Sequence, residues 1–485
     1  MTVQEERHSL HGGVLSAFDS LIMAIAGTAP AYTIVASTGT LIAACGLASP
    51  GALLYCAIPM LGIAFAFSYL GKADVNAGAS YSWVRKTLHP ALGFISGWAV
   101  LMSTTIFMIT GAVPAGQVTV SFFSPSASNN TTLVLFIGGI LFLVMTGLVI
   151  AGVRVTARAQ WIMTGVEVTL LVVFGILALL HTGGRDGAHF SWSWFSITQF
   201  HGVSSFSSAA LIAAFFYWGW DVTANLSEES KRTKGGLLSN IFGVIIVFVL
   251  FEAFSLIINM TLSSKQIGNS SNLLESVGDT VWHGTGGKLL VLAFILSTIA
   301  TMETGLIQAT RSLFAMGRDH TVPLAAGRVN PRTRTPIVAT VAIAVFVIVM
   351  FIMADHVGSI STIMSDAVSA TSIQICLYYG LACVAMLVAY RKTLFASVRN
   401  AFFLGFLPLL GATFMLFTFF ESITNASLAA AAKEVGFGAL ALGLIPMVFY
   451  WRTSPYFRRG AVLSVDDATL AFDEPPEVAA VAALD

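Results

Sequence analysis

Apolar runs of spanning length, separated by short polar or charged stretches, account for most of this chain. They fall at 14–45, 50–71, 92–121, 132–151, 159–181 and 204–230, and again at 237–262, 287–315, 336–354, 360–390, 398–420 and 434–451. About 20 predominantly apolar residues are what a helix needs to cross the hydrocarbon of a bilayer. The pattern predicts an all-α integral membrane protein with twelve transmembrane helices.

Two of the runs are interrupted. The first contains Ile25-Ala26-Gly27-Thr28-Ala29-Pro30-Ala31-Tyr32, inside a segment too long for one unbroken helix. Pro30 removes a backbone donor and clashes one turn back. The second interruption lies around Tyr217-Trp218-Gly219-Trp220, at the corresponding place in the second half. In a bilayer every freed N–H and C=O needs a partner, so a break at depth is tolerated only where it is packed in protein or lines a cavity. A lone Gly/Pro interruption is equally what a simple kink produces. A matched pair points instead to the binding site of a transporter.

Composition agrees with the membrane reading. Hydrophobic residues make up 56% of the 485 and charged residues 10%, and the mean hydropathy is +0.83. Net charge is zero, which offers nothing to a nucleic acid. The start of the chain, 1–13, has no apolar core of a cleavable signal and is expected to be a cytoplasmic N-terminus. Cys45, Cys56, Cys376 and Cys383 all fall within apolar runs and read as small packing residues.

Charge also gives sidedness. With twelve crossings, 20 of the 24 Lys and Arg share one face, the exceptions being Arg185, Lys265, Lys288 and Lys433. The positive-inside rule then puts both termini in the cytoplasm of a cell-membrane protein. The first helix therefore enters from the cytoplasm, and its outer half begins near Thr28–Ala29 with free N–H groups suited to a carboxylate. The sixth runs inward, and its outer half ends near Phe215–Phe216 with free carbonyls suited to an ammonium. Asp466, Asp467, Asp473, Glu474, Glu477 and Asp485 collect in an acidic tail expected to be disordered, within a cytoplasmic segment 452–485.

Chemistry at depth is confined to carboxylates. Asp19, Glu167, Asp221, Glu252, Glu303 and Asp366 lie within or near the ends of apolar runs, with no Lys or Arg at comparable depth. Each costs a few kcal/mol there and is a functional candidate by default. Solvation at a helix end or a structural hydrogen bond accounts for Asp19 and Glu252 equally well. Asp221, beside the second break, and Glu303 are the stronger substrate-side candidates. Without a nucleophile and base, a metal-ligand cluster or a phosphate-binding loop, the chain does not read as an enzyme, and no metal or other cofactor is expected.

Several motifs resemble the amino acid–polyamine–organocation permeases, over about Gly13 to Lys392. The most specific is Arg311-Ser312-Leu313-Phe314-Ala315-Met316-Gly317-Arg318-Asp319, followed by Pro323 and Asn330-Pro331-Arg332-Thr333-Arg334-Thr335-Pro336. Gly78-Ala79-Ser80-Tyr81-Ser82-Trp83 with Gly93-Phe94-Ile95-Ser96-Gly97-Trp98 is similar to the loop and start of helix three in that family, and Gly219-Trp220-Asp221 with Glu228-Glu229 to helix six. The resemblance implies a LeuT-like core. It has two inverted five-helix repeats, 14–181 and 204–390, broken helices one and six, and two added helices over 398–451. It places Thr105 at a substrate-facing position on helix three and Glu303 at substrate level on helix eight. Many members carry two closely spaced glycines in the first break, where this chain has Gly27, Thr28 and Ala29, so an amine or polyamine without an α-carboxylate stays open as substrate.

The candidate substrate site is thus Ala26, Gly27, Thr28, Ala29, Thr105, Phe215, Phe216, Tyr217, Trp218, Gly219, Asp221 and Glu303, with aromatic rings available to stack on a cation. Glu167 follows Arg158-Ala159-Gln160-Trp161 on the fifth helix, where family members that dispense with sodium often carry a lysine. A glutamate there would bind the coupling ion itself. A proton is favoured over Na⁺, because no full set of oxygen ligands for sodium can be placed; a purely structural hydrogen bond is the alternative. The expected function is secondary active transport of amino acids or related amines, cationic substrates favoured, with sodium coupling, exchange or a non-transporting sensor as alternatives.

Overall fold

A computed structural model describes residues 9–180, 187–200, 202–231, 234–270, 272–354, 360–424, 428–458 and 460–465. Arg7, Arg185, Arg232, Arg459 and the acidic tail from Asp466 lie outside them. Among the described residues the chain is all-helical, with one isolated bridge between Leu15 and Ser230 and no strand.

The helices are α1 Ala17–Thr28, α2 Pro30–Cys45, α3 Ser49–Ala73, α4 Ser80–Thr87, α5 Pro90–Phe123, α6 Thr131–Ala151, α7 Val153–Leu180, α8 Val203–Phe216, α9 Val222–Asn225 and α10 Lys234–Thr261. They continue as α11 Ser264–Asn269, α12 Leu273–Val281, α13 Gly286–Arg318, α14 Ile337–Ala354, α15 Ile360–Ala389, α16 Leu407–Thr424, α17 Ala430–Leu442 and α18 Leu444–Tyr450. The turns Ala401–Phe406 before α16 have π geometry. Nine stretches among the described residues are long and apolar enough to cross a membrane, Ala17–Ala73 counting as one; Val203–Phe216 and Ile337–Met353 are apolar but shorter.

Burial follows the demands of an apolar solvent. Phe136, Val144, Leu180, Ile445 and Phe449 point outward from the bundle, where hydrocarbon costs them nothing. The centre is built from α1, α2, α5, α8 and α13, and the four cysteines are buried free thiols. On α13 the polar positions Ser297, Thr301, Thr304, Gln308 and Arg311 repeat at helical spacing, and all are buried. They form one stripe turned inward, because lipid would leave their hydrogen bonds unmade.

Candidate functional site

Each break is built by local chain chemistry. Helix α1 stays helical through Thr28, whose hydroxyl donates to the Ala24 carbonyl at 2.8 Å. It stops at Ala29, a single residue in the left-handed region (φ 48°, ψ 68°), after which Pro30 opens α2 with its preset φ and no N–H to lose. This corrects the expected position of the break, since one residue leaves the helix rather than the stretch Gly27–Ala29. The freed N–H groups are accordingly those of Ala31 and Tyr32. In the other half, α8 ends at Phe216, and Gly219 (φ +103°) makes the turn that its lack of a side chain permits.

The two breaks touch at glycine. A Cβ on Gly27 would overlap the carbonyl oxygen of Gly219, and one on Gly219 would overlap that of Gly27. The Gly27 carbonyl also accepts from the Thr301 hydroxyl at 2.9 Å, tying the crossing to α13. Against the crossing lies a narrow void lined by Gly27, Phe107, Trp218, Gly219, Thr301, Thr304, Gly305 and Gln308. It is too tight to seat a water molecule.

The hydrogen bonds of the first break are filled by protein. The Ala31 N–H donates to Glu167 Oε1 at 2.9 Å, and the Tyr32 N–H donates to Ser297 Oγ at 3.1 Å. The Ala29 N–H returns to Ile25 and Ala26, and the Thr33 N–H to Ala29. Glu167 is fully buried, and its Oε2 has no hydrogen-bond partner. The expectation that N–H groups near Thr28–Ala29 would receive a substrate carboxylate therefore meets a carboxylate already in place.

Asp221 stands behind the wall of the void, while Glu303 faces α7. Asp221 accepts from Gln308 Nε2 at 2.7 Å, from the Tyr378 hydroxyl at 2.8 Å and from the Tyr379 hydroxyl at 3.0 Å, so a pocket-lining residue on α13 separates it from the void. Glu303 accepts from Gln160 Nε2 at 2.8 Å, while its Oε1 is buried without a partner. Gln160, Thr164 and Glu167 share one face of α7, all buried and spaced as neighbours on a helix.

The aromatic expectations divide. Trp218 lines the void, donates through Nε1 to the Tyr378 hydroxyl at 2.6 Å and packs edge-on against Phe107 at 5.2 Å; Phe215 lies 6.2 Å from Phe107. Phe216 turns away onto Phe251 at 5.1 Å, and the Tyr217 hydroxyl donates to the Leu53 carbonyl at 3.1 Å. A helix end cannot aim four consecutive side chains at one point. Thr105 spends its hydroxyl on the Leu101 carbonyl of its own helix, and Phe107, two residues on, is the α5 side chain in the wall. Ala26, Thr28 and Ala29 are buried at the break without lining the void.

On the side of the Arg-rich loops the site is sealed by ion pairs. Arg311 holds Glu229 through Nε–Oε2 and Nη2–Oε1, both at 3.0 Å, with both side chains 1% exposed. Arg318 holds Glu228 in the same two-pronged way, and Glu228 also accepts from the Ala77 N–H at 2.8 Å. Val14 and Leu15 donate N–H bonds to the Glu229 carbonyl, so the entry to α1 is clamped as well. Removing one partner of a buried pair strands the other charge at about 3–5 kcal/mol. Arg311→Ala is expected to lower the thermal midpoint of the purified protein sharply. Arg311→Lys, lacking the planar fork, should recover only part of it. An unchanged midpoint in Arg311→Ala would contradict a stabilising seal.

Comparison with known proteins is consistent with this construction. A family model described as amino acid permease matches residues 15–452. The chain is 24% identical over 344 residues to a branched-chain amino acid permease of Bacillus subtilis (strain 168), covering 67% of this chain and 71% of the relative. It is 23% identical over 342 residues to the vacuolar cationic amino acid transporter 4 of Arabidopsis thaliana, covering 65% of this chain and 55% of that protein. It is 23% identical over 303 residues to the low-affinity putrescine importer of Escherichia coli (strain K12), covering 59% and 63% of the two chains. A match that takes in both breaks, the α13 stripe and the ion-paired seal places this multi-pass membrane protein in the amino acid permease family of the amino acid–polyamine–organocation permeases.

Proposed function

We propose that this chain is a secondary active transporter for small solutes bearing an amino group, working by alternating access around the Gly27–Gly219 crossing. The carrying observation is the contact of two interrupted helices at Gly27 and Gly219 beside a narrow void, backed on one side by a two-pronged ion-pair seal. Half-helices that pivot at a glycine contact can open one side while the other stays shut, which is what alternating access needs. The relatives named above handle branched-chain amino acids, cationic amino acids and putrescine, compounds that share an amino group. The reading keeps the twelve crossings, two inverted five-helix repeats with two added helices, cytoplasmic termini and a cell-membrane location as its framework.

Within it, α8 ends at Phe216, two residues before Trp218 in the wall of the void, and a cation gains from a helix C-terminus and from the Trp218 and Phe107 rings. The buried carboxyl of Asp221 stands one side chain behind, at Gln308. Cationic solutes are therefore favoured, and Glu167, between α7 and the start of α2, is the proposed proton-coupling group.

Uptake of a labelled panel of amino acids and amines into proteoliposomes tests the proposal. Saturable uptake with trans-acceleration by internal solute is expected. Binding without uptake would make the protein a sensor, and uptake linear in concentration would make it a channel; either result contradicts the transporter reading.

A further inference from the structure

We infer that Glu167 occupies the place a substrate carboxylate would take, so that this chain selects amines lacking an α-carboxylate over the corresponding amino acids. The inference rests on the transporter reading of the site and names its substrate class.

A helix N-terminus binds anions because its first N–H groups have no partner within the helix and the dipole end is positive. At α2, Pro30 has no N–H, Ala31 donates to Glu167 and Tyr32 donates to Ser297. The preceding donor, Ala29, is returned to α1. The supply at the first break is exhausted. An incoming carboxylate would have to displace Glu167, whose second oxygen is already buried without a partner.

Charge points the same way. The second break is followed within two residues of Gly219 by Asp221, a carboxyl on which three donors converge from Gln308, Tyr378 and Tyr379. Arg311, on the α13 stripe next to Gln308 in spacing, is committed to Glu229. Among the described residues no Lys or Arg lines the void, whereas the Trp218 and Phe107 rings and the Thr301 and Thr304 hydroxyls do, and these suit an ammonium. One buried carboxyl of the protein thus takes the donor that the substrate's own would need.

Matched pairs test this on the full-length protein in nanodiscs: putrescine against ornithine, cadaverine against lysine and 3-methylbutylamine against leucine, by calorimetry. The amine is expected to bind at least tenfold tighter within every pair that binds. Glu167→Ala, which vacates the Ala31 N–H, should narrow that ratio severalfold, while Glu167→Gln, whose amide oxygen still accepts from it, should hold the ratio closer to wild type. The wild-type ratios stand alone should the alanine variant fail to fold. Amino acids binding as tightly as their amines, with saturable uptake intact, would overturn this inference and spare the transporter reading. Failure of every pair to bind would overturn both.

Discussion

Gly27→Ala is expected to abolish transport while leaving a protein that still reaches the membrane. The added methyl meets the Gly219 carbonyl, which is backbone and cannot rotate aside as a side chain would. Overpacking ordinarily costs about 1–3 kcal/mol; here the displaced element is the crossing of the two interrupted helices, so the strain falls on the site itself. Substrate affinity should fall at least tenfold and uptake to background. Gly219→Ala carries the same clash plus an unfavourable φ of +103°, and should be the more damaging of the two. Binding isotherms and uptake on both variants, with a dispersity check by size exclusion, measure this. Wild-type affinity in Gly27→Ala would move the site elsewhere.

The second large effect is expected at Glu167. Glu167→Gln keeps an acceptor for the Ala31 N–H, so the start of α2 stays capped, but it can no longer take up and release a proton. Gradient-driven accumulation should disappear, while counterflow, which needs only binding and the conformational cycle, should persist within a few-fold. A variant that still concentrates substrate under a pH gradient would pass the coupling role to Glu303, whose Oε1 is likewise buried and unpartnered, or to Asp221.

Legibility in the sequence followed physical range. Both breaks could be read because they are local: a proline after small residues, and a glycine between tryptophans. The membrane class was read from apolar runs alone, as hydrophobicity needs no tertiary partner to be recognised. What could not be read was which way side chains turn once the helices stop. Phe216 and Tyr217 were grouped with Phe215 and Trp218, yet they face α10 and α3. The position of the first break was blurred by Gly27, which serves close approach rather than unwinding. The capping of Ala31 by Glu167 joins residues 136 apart, which no spacing rule anticipates. One signal was present and passed over: Ser297, Thr301, Thr304, Gln308 and Arg311 recur at helical spacing on α13, and a polar stripe on a membrane helix must face protein or water. Four of the five contact the break, the void or Asp221, and the fifth holds the seal.

The account is tested most directly by accumulation. Purified protein in proteoliposomes, given a pH gradient in sodium-free buffer and a labelled amine it binds, should concentrate that amine above its external level. The excess should collapse when a protonophore dissipates the gradient, and Glu167→Gln should show none. Uptake that stops at equal concentrations under every pH gradient, or that rises above them only when a sodium gradient is supplied, would contradict it.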